Sequence, residues 1–185
     1  VVESLQGGEF YCGDVVTYLA EVEVNDPIGA NHLTLEMEYR FAANSSGQPG
    51  VGHILVNVVM ANYGVVSGGD GPGGIDSGNV DDGGSTAALV SQVFDPPNTT
   101  PFAGADELIL TATLDDLEAG EHVIVRIDTI LGCEQGSEPT GNLSASLQEG
   151  RIIAANGNTL KVPQVITGGA QTIPFQQVGD LGGLD

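Results

Sequence analysis

Alternation of apolar and polar positions runs through most of the chain and predicts β-strands. In 31–42, NHLTLEMEYRFA, every second residue from Leu33 to Phe41 is apolar, and the residues between them are polar, charged or small. This two-residue period is that of an antiparallel strand with one buried face. The same period recurs in four other segments, 14–24, 107–114, 121–131 and 142–147.

Two further segments complete the predicted set of seven core strands. GHILVNVVMANYGVV (52–66) is apolar on both faces apart from a few polar residues, which suits a central strand or one that meets a second subunit. TAALVSQVF (86–94) is a further candidate strand. No amphipathic helix is found, and the breaks are rich in Gly, Pro, Asn and Asp. We therefore predict an all-β chain, an immunoglobulin-like or jelly-roll β-sandwich with extra terminal strands.

The residue pattern changes along the sequence and divides the chain into three parts. We expect an N-terminal extension at 1–11, a β-sandwich core at 12–149 with a Gly/Asp loop at 67–86, and a strand-like C-terminal extension at 150–185. Residues 159–179 hold two short β-like runs, each broken by a proline, which edge strands tolerate and central strands do not. Both termini are therefore interpreted as strands that pair with something else.

Two short motifs, GDVVTY at Gly13–Tyr18 and LEAGE at Leu117–Glu121, resemble the conserved surface-repeat modules of bacterial and archaeal cell-surface proteins. Those modules are immunoglobulin-like, begin with G-D-x-V-T-Y and carry an L-x-A-G-E turn before a late strand. The resemblance implies an extracellular or cell-surface structural role without catalysis, and it carries over no site residues. The long Gly/Asp loop, the cysteine pair and the C-terminal extension depart from the modules. The matching residues are Gly13, Asp14, Val16, Thr17 and Tyr18, then Leu117, Ala119, Gly120 and Glu121.

Charge and processing signals restrict the partners and the location. The net charge is −21, from 25 acidic and 4 basic residues, so we expect no nucleic acid partner and no anionic membrane partner. The chain begins Val1-Val2 and has no signal-peptide pattern and no apolar run long enough for membrane insertion. We expect a mature exported chain that is secreted or held at the cell surface.

The two cysteines, Cys12 and Cys133, each adjoin a glycine near the end of a predicted strand. In an exported chain such a pair predicts one disulfide. It would close a loop of about 120 residues and stabilise the fold by about 4–5 kcal/mol in the chain-entropy model. The alternative is two separate buried thiols.

No catalytic constellation emerges from the sequence. The three histidines, His32, His53 and His122, are far apart, and HExxH, CxxC and GxSxG motifs do not occur. Carboxylates are plentiful enough for a glycosidase pair, but aromatic residues make up only 5% of the chain, too few for sugar-binding platforms. We therefore expect that the protein is not an enzyme.

The Gly/Asp loop, SGGDGPGGIDSGNVDDGGST at 67–86, offers hard oxygen ligands with glycines that let backbone carbonyls approach a cation. Calcium is accordingly the one cofactor considered, although the spacing does not match an EF-hand. The alternative is a solvated acidic loop without a ligand. The candidate ligands are Asp70, Asp76, Asn79, Asp81 and Asp82.

Three N-x-[ST] sequons are candidate glycosylation sites, at Asn44, Asn98 and Asn142. The first two lie in turn-like sequence, where a glycan could be accepted. Asn142 begins a predicted strand and is the weaker candidate.

The leading hypothesis is an extracellular structural subunit of a surface filament or surface layer. Copies of the chain would form a homopolymer by β-strand addition, with 159–178 or 1–11 as the donor strand. The runner-up is a calcium-dependent adhesin or ligand-binding module with the same fold, in which the Gly/Asp loop contacts the ligand.

The charge yields the first testable expectation. The Debye length falls from about 30 Å at 0.01 M salt to about 3 Å at 1 M, so added salt should raise assembly or thermal stability. If the loop is a calcium site, millimolar calcium acts where sodium at equal ionic strength does not. Replacing Asp76, Asp81 and Asp82 with Asn should then remove the calcium effect. Equal light-scattering and thermal-unfolding responses to both ions would identify a solvated loop.

Overall fold

The computed structural model describes residues 13–23, 32–44, 51–60, 84–100, 104–118, 121–133, 142–153, 156–158 and 170–174. These ranges form strands and turns and include no helix long and apolar enough to cross a membrane. The strands are β1 Val15–Glu23, β2 Leu33–Ala42, β3 Val51–Met60, β4 Thr86–Asp95, β5 Glu107–Leu117, β6 His122–Cys133, β7 Asn142–Ile153 and β8 Ala170–Pro174.

The strands form two antiparallel sheets, in the orders β1-β6-β3 and β4-β5-β2-β7-β8. The prediction of an all-β sandwich is thereby confirmed. The orders β3-β6 and β4-β5-β2 are those of strands C-F and D-E-B in an immunoglobulin sandwich, whereas β7 takes the place of strand A and β1 that of strand G. The first and last strands of the core are therefore exchanged between the sheets relative to that topology.

The core lies between the sheets and follows the sequence alternation. In β2 the side chains alternate strictly between buried and half-buried, and β5 does the same up to Asp115. The prediction that one face of these strands is buried is confirmed. The physical reason for this burial is that removing apolar area from water is the main favourable term in folding. The buried core side chains of β2, β5 and β6 include Leu33, Leu35, Met37, Tyr39, Phe41, Leu108, Leu110, Ala112, Leu114, Val123, Val125, Ile127 and Leu131.

An aromatic cluster joins the two sheets inside the core. The rings of Tyr18 and Phe41 meet edge to face with centroids 5.4 Å apart, and the His53 ring lies 5.3 Å from Phe41. His53 is fully buried, with its Nδ1 3.2 Å from the Thr129 hydroxyl. Its Nε2 and the Tyr18 hydroxyl have no hydrogen-bond partner among the described residues. Burial lowers the pKa of His53 to about 3 and raises that of Tyr18, so both side chains are neutral.

Two glycines sit where a side chain would interfere with the backbone. Gly13 has φ +89°, its N–H donates to the Leu131 carbonyl, and the Leu131 N–H donates to the Asp14 carbonyl. This is a glycine β-bulge, and it attaches the start of β1 to β6. A Cβ on Gly52 would come within 2.5 Å of the Ala43 carbonyl oxygen, so only glycine allows β3 to approach the end of β2 this closely.

The structure departs from the sequence interpretation at β3. Segment 52–66 suited a central strand or a strand that meets a second subunit, and in the described part of the chain β3 pairs with β6 alone. Among the described residues β3 is thus an edge strand, and contact with a second subunit stays a prediction. Farther along, β7 continues to Ile153, past the boundary expected after residue 149, and β8 adds to the same sheet.

His53 should make stability depend on pH in a defined direction. Its pKa is about 3 in the folded state and near 6.5 when unfolded, so the unfolded chain binds the extra proton in that interval. The free energy of unfolding should fall by up to about 1.4 kcal/mol per pH unit below pH 6.5 because of this residue. Urea unfolding between about pH 7 and 4 measures the slope. A His53→Gln variant should lose that slope while keeping the slope due to carboxylates, and equal slopes would contradict this account.

Candidate functional site

The edge strands of the two sheets differ in charge. In the described part of the chain the sheet edges are β1 and β3 on one sheet and β4 and β8 on the other, and β3 packs beside β4. We call the edges of β3 and β4 together the open side. No charged residue occurs in β3 or in β4 before Asp95, apart from the buried neutral His53. The β1 edge, in contrast, carries Glu21 and Glu23.

Exposed apolar side chains concentrate on the same open side. On β4, Leu89, Val90 and Val93 are 43%, 56% and 48% exposed, and Val56 on β3 is 51% exposed. The fifth large hydrophobic side chain that the described part exposes is Val15 on β1. In a chain with a net charge of −21, an edge that is both uncharged and apolar is a candidate contact surface.

Strand β4 is an edge strand of ten residues. Among the described residues it pairs only with β5, so its other edge directs backbone N–H and C=O groups away from the sheet. Val90 has no register partner in β5 and forms a bulge. The bulge divides the strand into a four-residue segment, Thr86–Leu89, and a five-residue segment, Ser91–Asp95.

A buried hydrogen-bond network fixes the residue that precedes β4. The Ser85 hydroxyl lies 2.8 Å from Glu121 Oε2 and 3.0 Å from the Asp116 carbonyl oxygen. The Glu118 N–H donates to the same Glu121 oxygen at 2.8 Å. Because Ser85 and Glu121 are both buried, these bonds hold the start of β4 against the turn between β5 and β6. Glu121 belongs to the L-x-A-G-E motif noted in the sequence, and the structure gives it this positioning role.

Each arginine in the described part is paired with carboxylates on an outer sheet face. Arg40 lies 2.9 Å from Glu38 and 3.1 Å from Glu107, and Arg151 lies 2.8 Å from Glu36. These pairs link β2 to β5 and to β7 across the five-stranded sheet.

The outer face of the three-stranded sheet carries a similar pair. Arg126 Nε donates to Asp128 at 2.8 Å, and the Thr17 hydroxyl donates to the same carboxylate at 2.7 Å. Burial opposes ionisation of Asp128, but the hydrogen bonds from Arg126 and Thr17 outweigh it and hold the pKa of this carboxyl below its usual value. The ion pair lies within β6, and the hydrogen bond from Thr17 to Asp128 ties β1 to β6.

The candidate calcium ligands, Asp70, Asp76, Asn79, Asp81 and Asp82, lie outside the described residues, so the calcium site stays a prediction. Within the described ranges, no group of three or more His, Cys, Asp or Glu side chains is placed to hold a metal ion.

The predicted disulfide also stays a prediction. Cys12 lies outside the described residues, and Cys133 is described only as the last backbone position of β6. Gly13 follows Cys12 in the sequence, and the backbone hydrogen bonds of Gly13 and Asp14 to Leu131 hold Gly13 beside the end of β6. This proximity favours the pairing of Cys12 with Cys133.

The sequons differ in what their asparagines contact. The Asn44 amide donates to Asp106 Oδ1 at 2.8 Å, so this side chain is already engaged with the loop before β5. Asn98 is exposed and left-handed, with φ 64°, in the turn after β4. Asn142 is the first residue of β7 and pairs with Pro174 in the strand register. Asn98 is therefore more accessible than Asn44.

No protein-family model, no curated protein and no solved structure matches this chain. The resemblance to surface-repeat modules therefore stays an expectation based on the two motifs.

Sequence reasoning identified β4 as a strand but did not identify it as a candidate contact surface. Which strand forms a sheet edge depends on pairings between distant segments, and the sequence of β4 does not reveal them. One signal was available: Thr86–Phe94 is free of charge in a strongly acidic chain.

The exposed pair of His32 and Asp116 gives a pH prediction of opposite sign to that of His53. Both residues have positive φ, and the His32 Nδ1 contacts Asp116 Oδ1 where β2 begins and β5 ends. The hydrogen bond to Asp116, then its charge, raises the pKa of His32 above 6.5. The stabilisation is therefore complete below pH 6.5 and is lost as pH rises through the folded-state pKa.

His32→Asn should consequently lower the urea midpoint at about pH 5.5 and have a smaller effect at about pH 8.5. Asp116→Asn should reproduce this dependence, since it removes the carboxylate that pairs with His32. An effect of His32→Asn that is equal at both pH values would contradict the ion pair.

Proposed function

We propose that this chain is an extracellular structural subunit of a surface filament or surface layer, and that copies assemble by β-strand addition at β4. The observation that carries the proposal is the β4 edge, which is ten residues long, free of charge up to Phe94 and lined by exposed Leu89, Val90 and Val93. The resemblance to surface-repeat modules implies the same location and a structural role.

The chemistry of an uncapped edge supports this function. A strand that adds to an edge forms main-chain hydrogen bonds, which supply affinity, and alternate side chains supply specificity. Proteins that avoid such pairing place lysine, proline or inward-pointing charges on their edges. In β4 such features occur only at its end, where Asp95 precedes Pro96 and Pro97. The strand thus retains a long segment able to accept a partner.

Electrostatics favours the same edge. Two copies with a charge of −21 each repel one another over a Debye length of about 8 Å at physiological salt. Contact through β4 places no carboxylate at the pairing edge before Asp95, whereas contact through β1 would add Glu21 and Glu23. Main-chain pairing at β4 therefore meets less local repulsion than pairing at β1.

Preorganisation adds a further argument. The Ser85–Glu121 network holds the start of β4, and pairing with β5 holds the rest. A partner strand then need not order the acceptor, which reduces the entropic cost of association.

Three matched valine-to-lysine variants test the edge. Val90, Val56 and Val15 are 56%, 51% and 54% exposed, on β4, β3 and β1. Val90→Lys should raise the concentration needed for polymerisation at least about tenfold, because a charge on the edge opposes pairing. Val15→Lys makes the same change in net charge away from the open side and should leave polymerisation unchanged. Val56→Lys should do likewise if β4 is the acceptor.

Negative-stain electron microscopy and sedimentation of purified protein measure the effect. Block by Val56→Lys with no effect of Val90→Lys would move the acceptor to β3. The absence of polymers from the wild-type chain at every salt and calcium concentration would contradict the proposed function.

A further inference from the structure

The uncharged β4 edge raises the question of which strand pairs with it. Pairing a carboxylate-rich strand with β4 would bring additional negative charge against a body that already carries a large excess. The donor best suited to this edge is therefore uncharged or cationic, and it must be able to leave its own fold without threading through the chain.

Charge is unevenly distributed along the sequence. The thirty residues 150–179 contain no Asp or Glu, and Arg151 and Lys161 give this run a charge of +2. The rest of the chain has 25 carboxylates and two arginines and a charge of −23, which with the +2 of this run gives the total of −21. The N-terminal segment 1–11 contains Glu3 and Glu9 and no cation. Arg151 belongs to β7 and pairs with Glu36, so the donor segment 159–178 itself carries +1, from Lys161. Of the two terminal segments expected to donate a strand, only this one is complementary in charge to an acidic neighbour.

The C-terminal run already contains a strand. Ala170–Pro174 forms β8, which pairs antiparallel with the first five residues of β7, from Asn142 opposite Pro174 to Ser146 opposite Ala170. The sequence of β8, AQTIP, has no charged residue. Because β8 is the last strand of its sheet and pairs only with β7 among the described residues, it can separate from β7 without disturbing the strands that enclose the core.

We propose that β8 of one copy adds to β4 of the next copy, with Ser91–Asp95 as the main pairing segment. This inference rests on the proposed function and identifies the donor and the acceptor within it. The five residues of β8 match the five residues of β4 that follow the Val90 bulge in unbroken register with β5. In the isolated subunit the same strand is held on its own β7.

The connection to β8 is long enough for this exchange. Sixteen residues, 154–169, separate the end of β7 from the start of β8, and in extended form they span about 55 Å. That distance is several Debye lengths at physiological salt, so two acidic bodies can be joined while remaining apart. Donor and acceptor are different surfaces, so the contact is head to tail and propagates.

Self-pairing of β4 is the main competing arrangement. It would join two copies as a closed pair around a two-fold axis and would bring the two bodies directly side by side. It leaves the charge of the C-terminal run unused, and alone it does not give a polymer.

A reversible lock on β8 tests the exchange. Ser144 and Thr172 are opposite one another in the β7–β8 register, so Ser144→Cys with Thr172→Cys should form a disulfide across the pair. If β8 must leave β7, the oxidised double variant should form at least about tenfold less polymer than the wild type at the same concentration. Reduction should restore polymerisation. Each single variant, and the wild type under the same reducing conditions, serves as a control.

The outcomes separate this inference from the function it rests on. Peptide mapping must show the 144–172 link within one chain, and thermal unfolding reports whether the variant is folded. Undiminished polymers from the locked variant would overturn β8 as the donor and leave strand addition intact. A ladder of 144–172 links between chains would place β8 on a neighbour's β7 and overturn β4 as its acceptor. Discrete dimers that Val90→Lys abolishes would indicate β4 self-pairing and overturn the exchange.

Discussion

Burial of one face of each core strand is the constraint on which the rest of the structure depends. The apolar positions of β2, β5 and β6 fill the space between the sheets, so charged residues of these strands are restricted to the outer faces and the ends. There Arg40, Arg126 and Arg151 neutralise only some of the carboxylates. A molecule built in this way repels its copies over most of its surface, and the uncharged strand edges become the places where contact meets least resistance.

Polar groups outside β4 hold the start of this edge strand in place. The hydroxyl of Ser85, just before β4, lies within hydrogen-bond distance of the Asp116 carbonyl near the end of β5 and of Glu121, which directly precedes β6. The buried carboxylate of Glu121 also accepts the Glu118 N–H. This polar network thus connects the L-x-A-G-E motif to the start of β4. The motif stabilises local structure and need not contact any ligand.

Local sequence predicted the parts of this fold that depend on local periodicity. The alternation from Leu33 to Phe41 identified the buried face of β2, and the apolar positions of β6 proved equally informative. The same approach left two alternatives for β3, because apolar residues on both faces suit an edge strand that meets a second subunit as well as a central strand. It could not identify β4 as an edge or β7 as the partner of β8, since sheet order depends on pairings such as Leu143 with Ile173, thirty residues apart.

The bulges at Val56 and Val90 have a consequence for the shape of any assembly. Each inserts one extra residue into an edge strand of the open side, and a bulge increases the local right-handed twist of its strand. A sheet extended from such an edge is coiled rather than flat. Subunits joined through β4 would therefore be related by a rotation as well as a translation, and the resulting fibre would have a helical pitch set in part by a single inserted valine.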